Sequence, residues 1–399
     1  MFMTDLLWST TGAERKVAHE VEARWGELLA EVDTGAAERD ATGRPVPSRF
    51  LGRAGALGLQ AMPLPPEAGG SGADPLTWSL ILEEIGYRCQ DTGFSLILGI
   101  RAAVVRALWE TGRPDVVERY VRPAARGELG TALAYSEDAD AFSFRTTLRR
   151  TPGGYVLDGL KDFVTGGTHA DVFLVYARDG ATDDLAGCLV HRTDPGVTVR
   201  ALDPVGTRTS GAAALELRSV PLVPERVVVP TDGLSHAQRL LNARRLTVCG
   251  APIGRARALV EHAAARVNAA HRHGRPLSDL PNVQAALGRM YIAVEAARAL
   301  LYRAAARVAD GQADPMFDPL VSAAKHLVVD RVRSVLEEAL QTLGGHFYYG
   351  EPYFGTCLRD FAGLVAVAGT QDLLAVNLGT LTAAHCARST PSPDSAPSP

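Results

Sequence analysis

The apolar residues of this 399-residue chain change their spacing twice, from helical to strand-like and back. Val17, Val21, Trp25, Leu28, Leu29 and Val32 recur every three or four positions, as one face of an amphipathic helix does. A second helix is expected over 78–87, after Pro75 and Thr77, and a third from Asp115, which suits an N-cap. Between the first two, Pro65-Pro66-Glu67-Ala68-Gly69-Gly70-Ser71-Gly72 can only be loop. From about residue 129 the segments become short and β-branched, at 131–136, 144–151, 155–160, 172–177, 188–191, 197–201 and 213–217. Pro152-Gly153-Gly154, Arg178-Asp179-Gly180 and Asp194-Pro195-Gly196 supply the turns. Beyond Pro230 long helical segments return at 235–270, 283–310, 319–343 and 370–387, joined by short loops.

The expected fold class is therefore α+β, mostly α. A helical N-terminal domain (1–128) precedes a central β-barrel or sandwich (129–230), a C-terminal four-helix bundle (231–388) and a Ser/Pro-rich tail (389–399) expected to be disordered. A net charge of -4 with both signs interspersed argues against nucleic acid and anionic membranes as partners. Five cysteines without a CxxC pair argue against a disulfide framework or a zinc site and suit a reducing cytoplasm. The first twenty residues lack a signal-peptide core, and no uncharged apolar run reaches the roughly 18–20 residues of a membrane span. His271-Arg272-His273 reads as a solvated helix end rather than a metal site, so no metal is expected.

Specific motifs fall within this frame. Pro66-Glu67-Ala68-Gly69-Gly70-Ser71-Gly72 is followed by Glu83-Glu84-Ile85, then by Ala134-Tyr135-Ser136-Glu137 and Leu157-Asp158-Gly159-Leu160-Lys161-Asp162-Phe163-Val164-Thr165-Gly166. Gln341-Thr342-Leu343-Gly344-Gly345, Arg359-Asp360 and Gly369-Thr370 complete the set. In this order and spacing the chain resembles the acyl-CoA dehydrogenase family of flavoproteins. The resemblance implies FAD as cofactor and an acyl thioester of coenzyme A or an acyl carrier protein as substrate. It also implies a homodimer or homotetramer in which each FAD touches two subunits. Ser136, Phe163 and Thr165 would line the isoalloxazine. Gln341, Gly344 and Gly345 would reach a neighbour's adenylate, Thr370 its flavin, and Arg272 would replace a cofactor-binding arginine. Asn242 and Arg245 would lie by the pantetheine arm.

The same resemblance exposes a departure. The family's catalytic Glu, directly before Gly-Thr, is here Ala368, and the alternative position for that base, in Leu-x-x-Glu-Arg, is Arg244. A methyl group cannot take the acidified α-proton. The expectation is an FAD-dependent oxidoreductase of specialised metabolism with a non-standard base or position of oxidation, for which Tyr348, Tyr349, Glu351 and Asp372 are candidates. The alternatives are a flavin monooxygenase on the same fold and a non-redox or catalytically silent relative.

Overall fold

The computed structural model describes residues 7–8, 11–138, 143–350 and 352–389. The first helix, α1 (Gly12–Asp33), begins in a capping box: Thr11 Oγ1 accepts from the Glu14 amide at 3.2 Å, and Glu14 returns a carboxylate oxygen to the Thr11 amide at 2.7 Å. Its apolar stripe buries Val21, Trp25, Leu28 and Val32, as their spacing predicts. After α2 (Ala36–Thr42) and α3 (Ser48–Ala56) comes α4 (Pro75–Arg88), capped by Asp74 with Pro75 at the first helical position.

The next helix, α5 (Thr92–Trp109), is absent from the sequence reading. It is apolar on every side, so it carries no helical alternation, and 72% of it is buried inside the fold. Among the described residues it alone has the length and hydropathy of a membrane span; its burial and its inward Arg101 mark a core helix. Asp115 is not an N-cap. It lies in the first turn of α6 (Pro114–Val116), paired with Arg113, and the chain continues through a π-turn at Val117–Val121 into α7 (Arg122–Ala125).

Eight strands make one sheet: β1 (Thr131–Ala134), β2 (Thr147–Thr151), β3 (Gly154–Val164), β4 (Val172–Asp179), β5 (Leu185–His191), β6 (Val197–Ala201), β7 (Ala213–Leu222) and β8 (Val227–Val229). Their order is β6-β7-β3-β2-β4-β5-β8, with β1 parallel to β4. Side chains from β1, β2, β3, β4, β5, β7 and β8 meet in one core, so the sheet curls around its own interior. Its outer face, with Leu174, Tyr176 and Leu189, packs on α5.

The C-terminal unit contains α8 (Gly233–Ala269), a two-stranded ribbon β9 (His271–Arg272) and β10 (Arg275–Pro276), α9 (Pro281–Ala309), α10 (Pro319–Leu343), α11 (Gly345–Tyr348), α12 (Pro352–Gly363) and α13 (Gln371–Ser389). Of the four long helices expected, α8, α9 and α10 share the core. α13 contributes only Leu374 among the buried residues and leaves Leu373, Val376 and Leu381 exposed. It runs to Ser389, and the remainder of the expected tail lies outside the described residues.

Glycines let α4 and α8 touch backbone to backbone. A Cβ on Gly254 would overlap the Glu83 carbonyl, and one on Gly86 would overlap the Ala251 carbonyl. Gly254→Ala is accordingly expected to lower unfolding free energy by about 1–3 kcal/mol through overpacking, measured by urea denaturation. An unchanged midpoint would mean that the two helices separate freely.

Candidate active site

All three units contribute to one cavity of about 730 Å³. The β unit provides Tyr135 and Ser136 after β1, Phe163 and Thr165 at the end of β3, and the loop from Leu202 to Ala212. Leu96 and Ile100 come from α5, Leu241 and Arg244 from α8, and Ala366, Val367 and Ala368 from the turn after α12. Five residues singled out in the sequence, Ser136, Phe163, Thr165, Arg244 and Ala368, thus face one space although they are up to 232 positions apart.

Local structure holds each in place. Lys161 is fully buried and donates to Glu137 Oε1 at 2.7 Å and to the Tyr135 carbonyl at 3.0 Å. Glu137 also accepts from the Arg145 and Thr146 amides, so the end of β1 is fixed around Ser136. Burial pulls the Lys161 ammonium down to about 8, against the opposing effect of Glu137. The register of β3 against β7 shifts between Lys161 and Val164, and this irregularity holds Phe163 at φ +57° with its ring 75% exposed. A left-handed backbone on an aromatic residue is uncommon. Here it presents a bare ring to the cavity, a suitable wall for a flat conjugated ligand.

The opposite wall is fastened from the bundle. Ala368 also has a left-handed backbone, φ +55°, followed by Gly369 at φ +98°. Arg245 Nε reaches the Ala368 carbonyl at 3.4 Å, and Lys325 Nζ donates to the Gly369 carbonyl at 2.8 Å and to Gln371 Oε1 at 3.0 Å. Burial pulls Lys325 down to about 8. The Arg359-Asp360 motif anchors a third wall: Asp360 accepts from the Thr207 amide at 2.6 Å, Arg359 pairs with Asp40, and Gly206 packs so closely on the Arg359 carbonyl that a Cβ would not fit. The sequence reading missed this loop. The close pairing of Gly206-Thr207 with a motif 153 residues later leaves no local pattern.

Other expected residues lie elsewhere. Arg245 is buried against Asn242 and above the Phe317 ring at 5.2 Å, outside the cavity wall. Asn242 bonds the Asp314 carbonyl at 3.2 Å and lines a second cavity of about 500 Å³ across α8. Gln341, Gly344, Gly345 and Thr370 are exposed on the bundle and Arg272 on the β9–β10 ribbon, none of them on the cavity. Gly344 takes φ +55° with ψ -125°, which suits only glycine, and a Cβ on it or on Gly345 would meet nothing. Thr370 caps α13, its hydroxyl accepting from the Leu373 amide at 3.3 Å.

The proposed replacement bases are not brought to the cavity. Tyr348, the last residue of α11, and Tyr349 after it are 71% and 87% exposed, Asp372 faces outward on α13, and Glu351 lies outside the described residues. Among the described residues lining the cavity, Asp203 is the sole carboxylate, and it is solvated and paired with Arg208 at 3.2 Å.

Profiles described as the N-terminal, middle and C-terminal domains of acyl-CoA dehydrogenase match residues 22–128, 132–220 and 231–379. The chain belongs to the acyl-CoA dehydrogenase family. It is 30% identical over 340 residues to the mitochondrial short-chain specific acyl-CoA dehydrogenase of Bos taurus, covering 82% of this chain and 80% of that protein. The solved prolyl acyl carrier protein oxidase AnaB superposes with a TM-score of 0.86 at 21% identity, over 93% of this chain and 99% of that one. A glutaryl-CoA dehydrogenase of Mycobacterium smegmatis, solved in complex with FADH2, superposes with a TM-score of 0.85 at 21% identity, over 96% and 97%. The β unit and the Ala368 turn thus both line this cavity.

Proposed function

We propose that this chain is an FAD-dependent oxidoreductase acting on an acyl thioester of coenzyme A or an acyl carrier protein, without a carboxylate at the family's usual base position. One observation carries the reading: the cavity joins Ser136, Phe163 and Thr165 to Ala368 while presenting no buried acid among its described residues. The exposed Phe163 ring, the hydroxyls of Ser136 and Thr165 and the volume of about 730 Å³ fit an isoalloxazine. Bound FAD would supply a two-electron acceptor. The protein's own contribution is positional and electrostatic: Lys161 fixes Ser136, while Arg245 and Lys325 hold the Ala368 turn rigid.

Proton removal then falls to another group, and the cavity offers Tyr135 or the solvated Asp203. The missing carboxylate equally favours a second reading, flavin-dependent oxygenation, in which no α-proton need be taken. We place the enzyme in the cytoplasm, in keeping with five cysteines that form no disulfide. We place it in a homo-oligomer because Gln341, Gly344 and Gly345 stand exposed where family resemblance puts a neighbour's FAD.

FAD is expected to copurify or to reconstitute, adding about 2.7 kcal/mol of apparent stability at 100 times its dissociation constant. Light scattering should report at least a dimer, and Gly345→Asp should release FAD while leaving the circular dichroism spectrum unchanged. An FAD-indifferent melting curve would overturn the cofactor assignment. Quantitative FAD binding by a monomer would overturn the shared site.

A further inference from the structure

Arg244 is a buried cation that no anion among the described residues pairs with. Its side chain is 5% exposed and lines the cavity, yet its one hydrogen bond is from Nη1 to the neutral Thr247 Oγ1 at 3.3 Å. No carboxylate of the described residues forms an ion pair with it. Two other buried guanidiniums do hold carboxylates: Arg257 holds Glu83 and Glu84 at 2.7 Å, and Arg298 holds Glu83 at 3.0 Å and Glu14 at 3.1 Å. Desolvation pulls the Arg244 guanidinium down to about 10, with no acid offsetting it. An unpaired buried charge costs several kcal/mol in real proteins, and such groups are normally paired.

The fold makes specific room for this charge. A Cβ on Gly99 of α5 would stand 3.1 Å from Arg244 Nη1, so the helix opposite is pared to glycine where the guanidinium rests. Thr247, which receives its hydrogen bond, lines the second cavity, of about 500 Å³. Arg244 thus stands in the wall between two spaces and closes the first where α5 and α8 approach. Its neighbours on this side of α8 add positive charge: Arg245 is 5% exposed, and Lys325 is fully buried.

We propose that Arg244 is a specificity residue that receives a carboxylate on the substrate's acyl group, so that the enzyme takes a short acyl thioester bearing a second, anionic end. The proposal rests on the acyl-thioester reading for the identity of the rest of the substrate, but the carboxylate preference itself comes from the unpaired guanidinium alone. A planar guanidinium offers a carboxylate two parallel hydrogen bonds, and an uncharged chain end of equal length leaves the cation buried and unpaired.

Isothermal calorimetry of FAD-loaded protein tests this with matched ligands: glutaryl-CoA against pentanoyl-CoA, with free glutarate against the uncharged pentanamide. The dicarboxylic member of each pair is expected to bind at least about 30-fold more tightly, a factor worth about 2 kcal/mol. Arg244→Met should remove the preference while retaining FAD, and Arg244→Lys should keep part of it. Equal affinity for charged and uncharged members, or a preference surviving in Arg244→Met, overturns the proposal. So does loss of FAD from Arg244→Met with the preference intact, because the arginine then serves the cofactor. If free glutarate binds in an Arg244-dependent way while neither thioester binds, the thioester reading falls and the carboxylate assignment stands. Silence from all four ligands overturns the assignment too.

Discussion

Ala368→Glu combined with Arg244→Ala is expected to reduce bound FAD with butyryl-CoA about 10²–10⁴ times faster than the wild-type protein, the range that a positioned general base contributes. The substitution is sterically mild for the backbone. Ala368 already carries a Cβ at φ +55°, and its turn is held by Arg245 and Lys325 through carbonyls that a new side chain does not disturb. Ala368→Glu alone should gain much less. Arg244 lines the same cavity without an acidic partner, and a guanidinium within reach lowers a carboxylate pKa by about 1–3 units, weakening it as a base. Stopped-flow absorbance under argon reads both variants. A double variant that keeps FAD and binds thioester but reduces no faster than wild type would show that position 368 does not face the substrate α-carbon.

Glu83→Ala is expected to cost about 3–5 kcal/mol of unfolding free energy, the scale for removing one partner of a buried ion pair. Glu83 is 1% exposed and serves three donors: Arg257 at 2.7 Å, Arg298 at 3.0 Å and the Tyr302 hydroxyl. Through Arg298 the network reaches Glu14 of α1, so one carboxylate joins the N-terminal helices to α8 and α9. Urea denaturation followed by far-ultraviolet circular dichroism measures the loss. A cost below about 1 kcal/mol, typical of exposed pairs, would mean that the network is solvated in solution.

The division into helical, β and helical parts was legible because amphipathic helices and half-buried strands write their period into the chain. α1 and α10 show it most plainly, with one apolar stripe each. α5 was not legible for the opposite reason: burial on every side erases the polar half of the pattern. The Lys161–Glu137 pair explains why two separate motifs carry those residues, yet neither motif alone reveals the partner. Ala368 and Arg244, the family's two base positions by resemblance, line one cavity. The missing counter-ion of Arg244 was not legible, because an absent partner is a property of the folded surroundings. The candidate bases at Tyr348, Tyr349 and Asp372 stand exposed and do not line the cavity. Proximity in sequence to the Gly345 and Thr370 motifs placed them near functional segments but outside the cavity.

The visible absorption spectrum of FAD-reconstituted wild-type protein, recorded under argon before and after butyryl-CoA, tests the central claim most directly. The structure predicts bound oxidised flavin whose absorption persists after the saturated thioester is added, since neither Ala368 nor Arg244 can accept the α-proton. Prompt bleaching at a rate typical of enzymes, about 1–10³ s⁻¹, would contradict it and make Tyr135 or Asp203 an efficient base for this substrate.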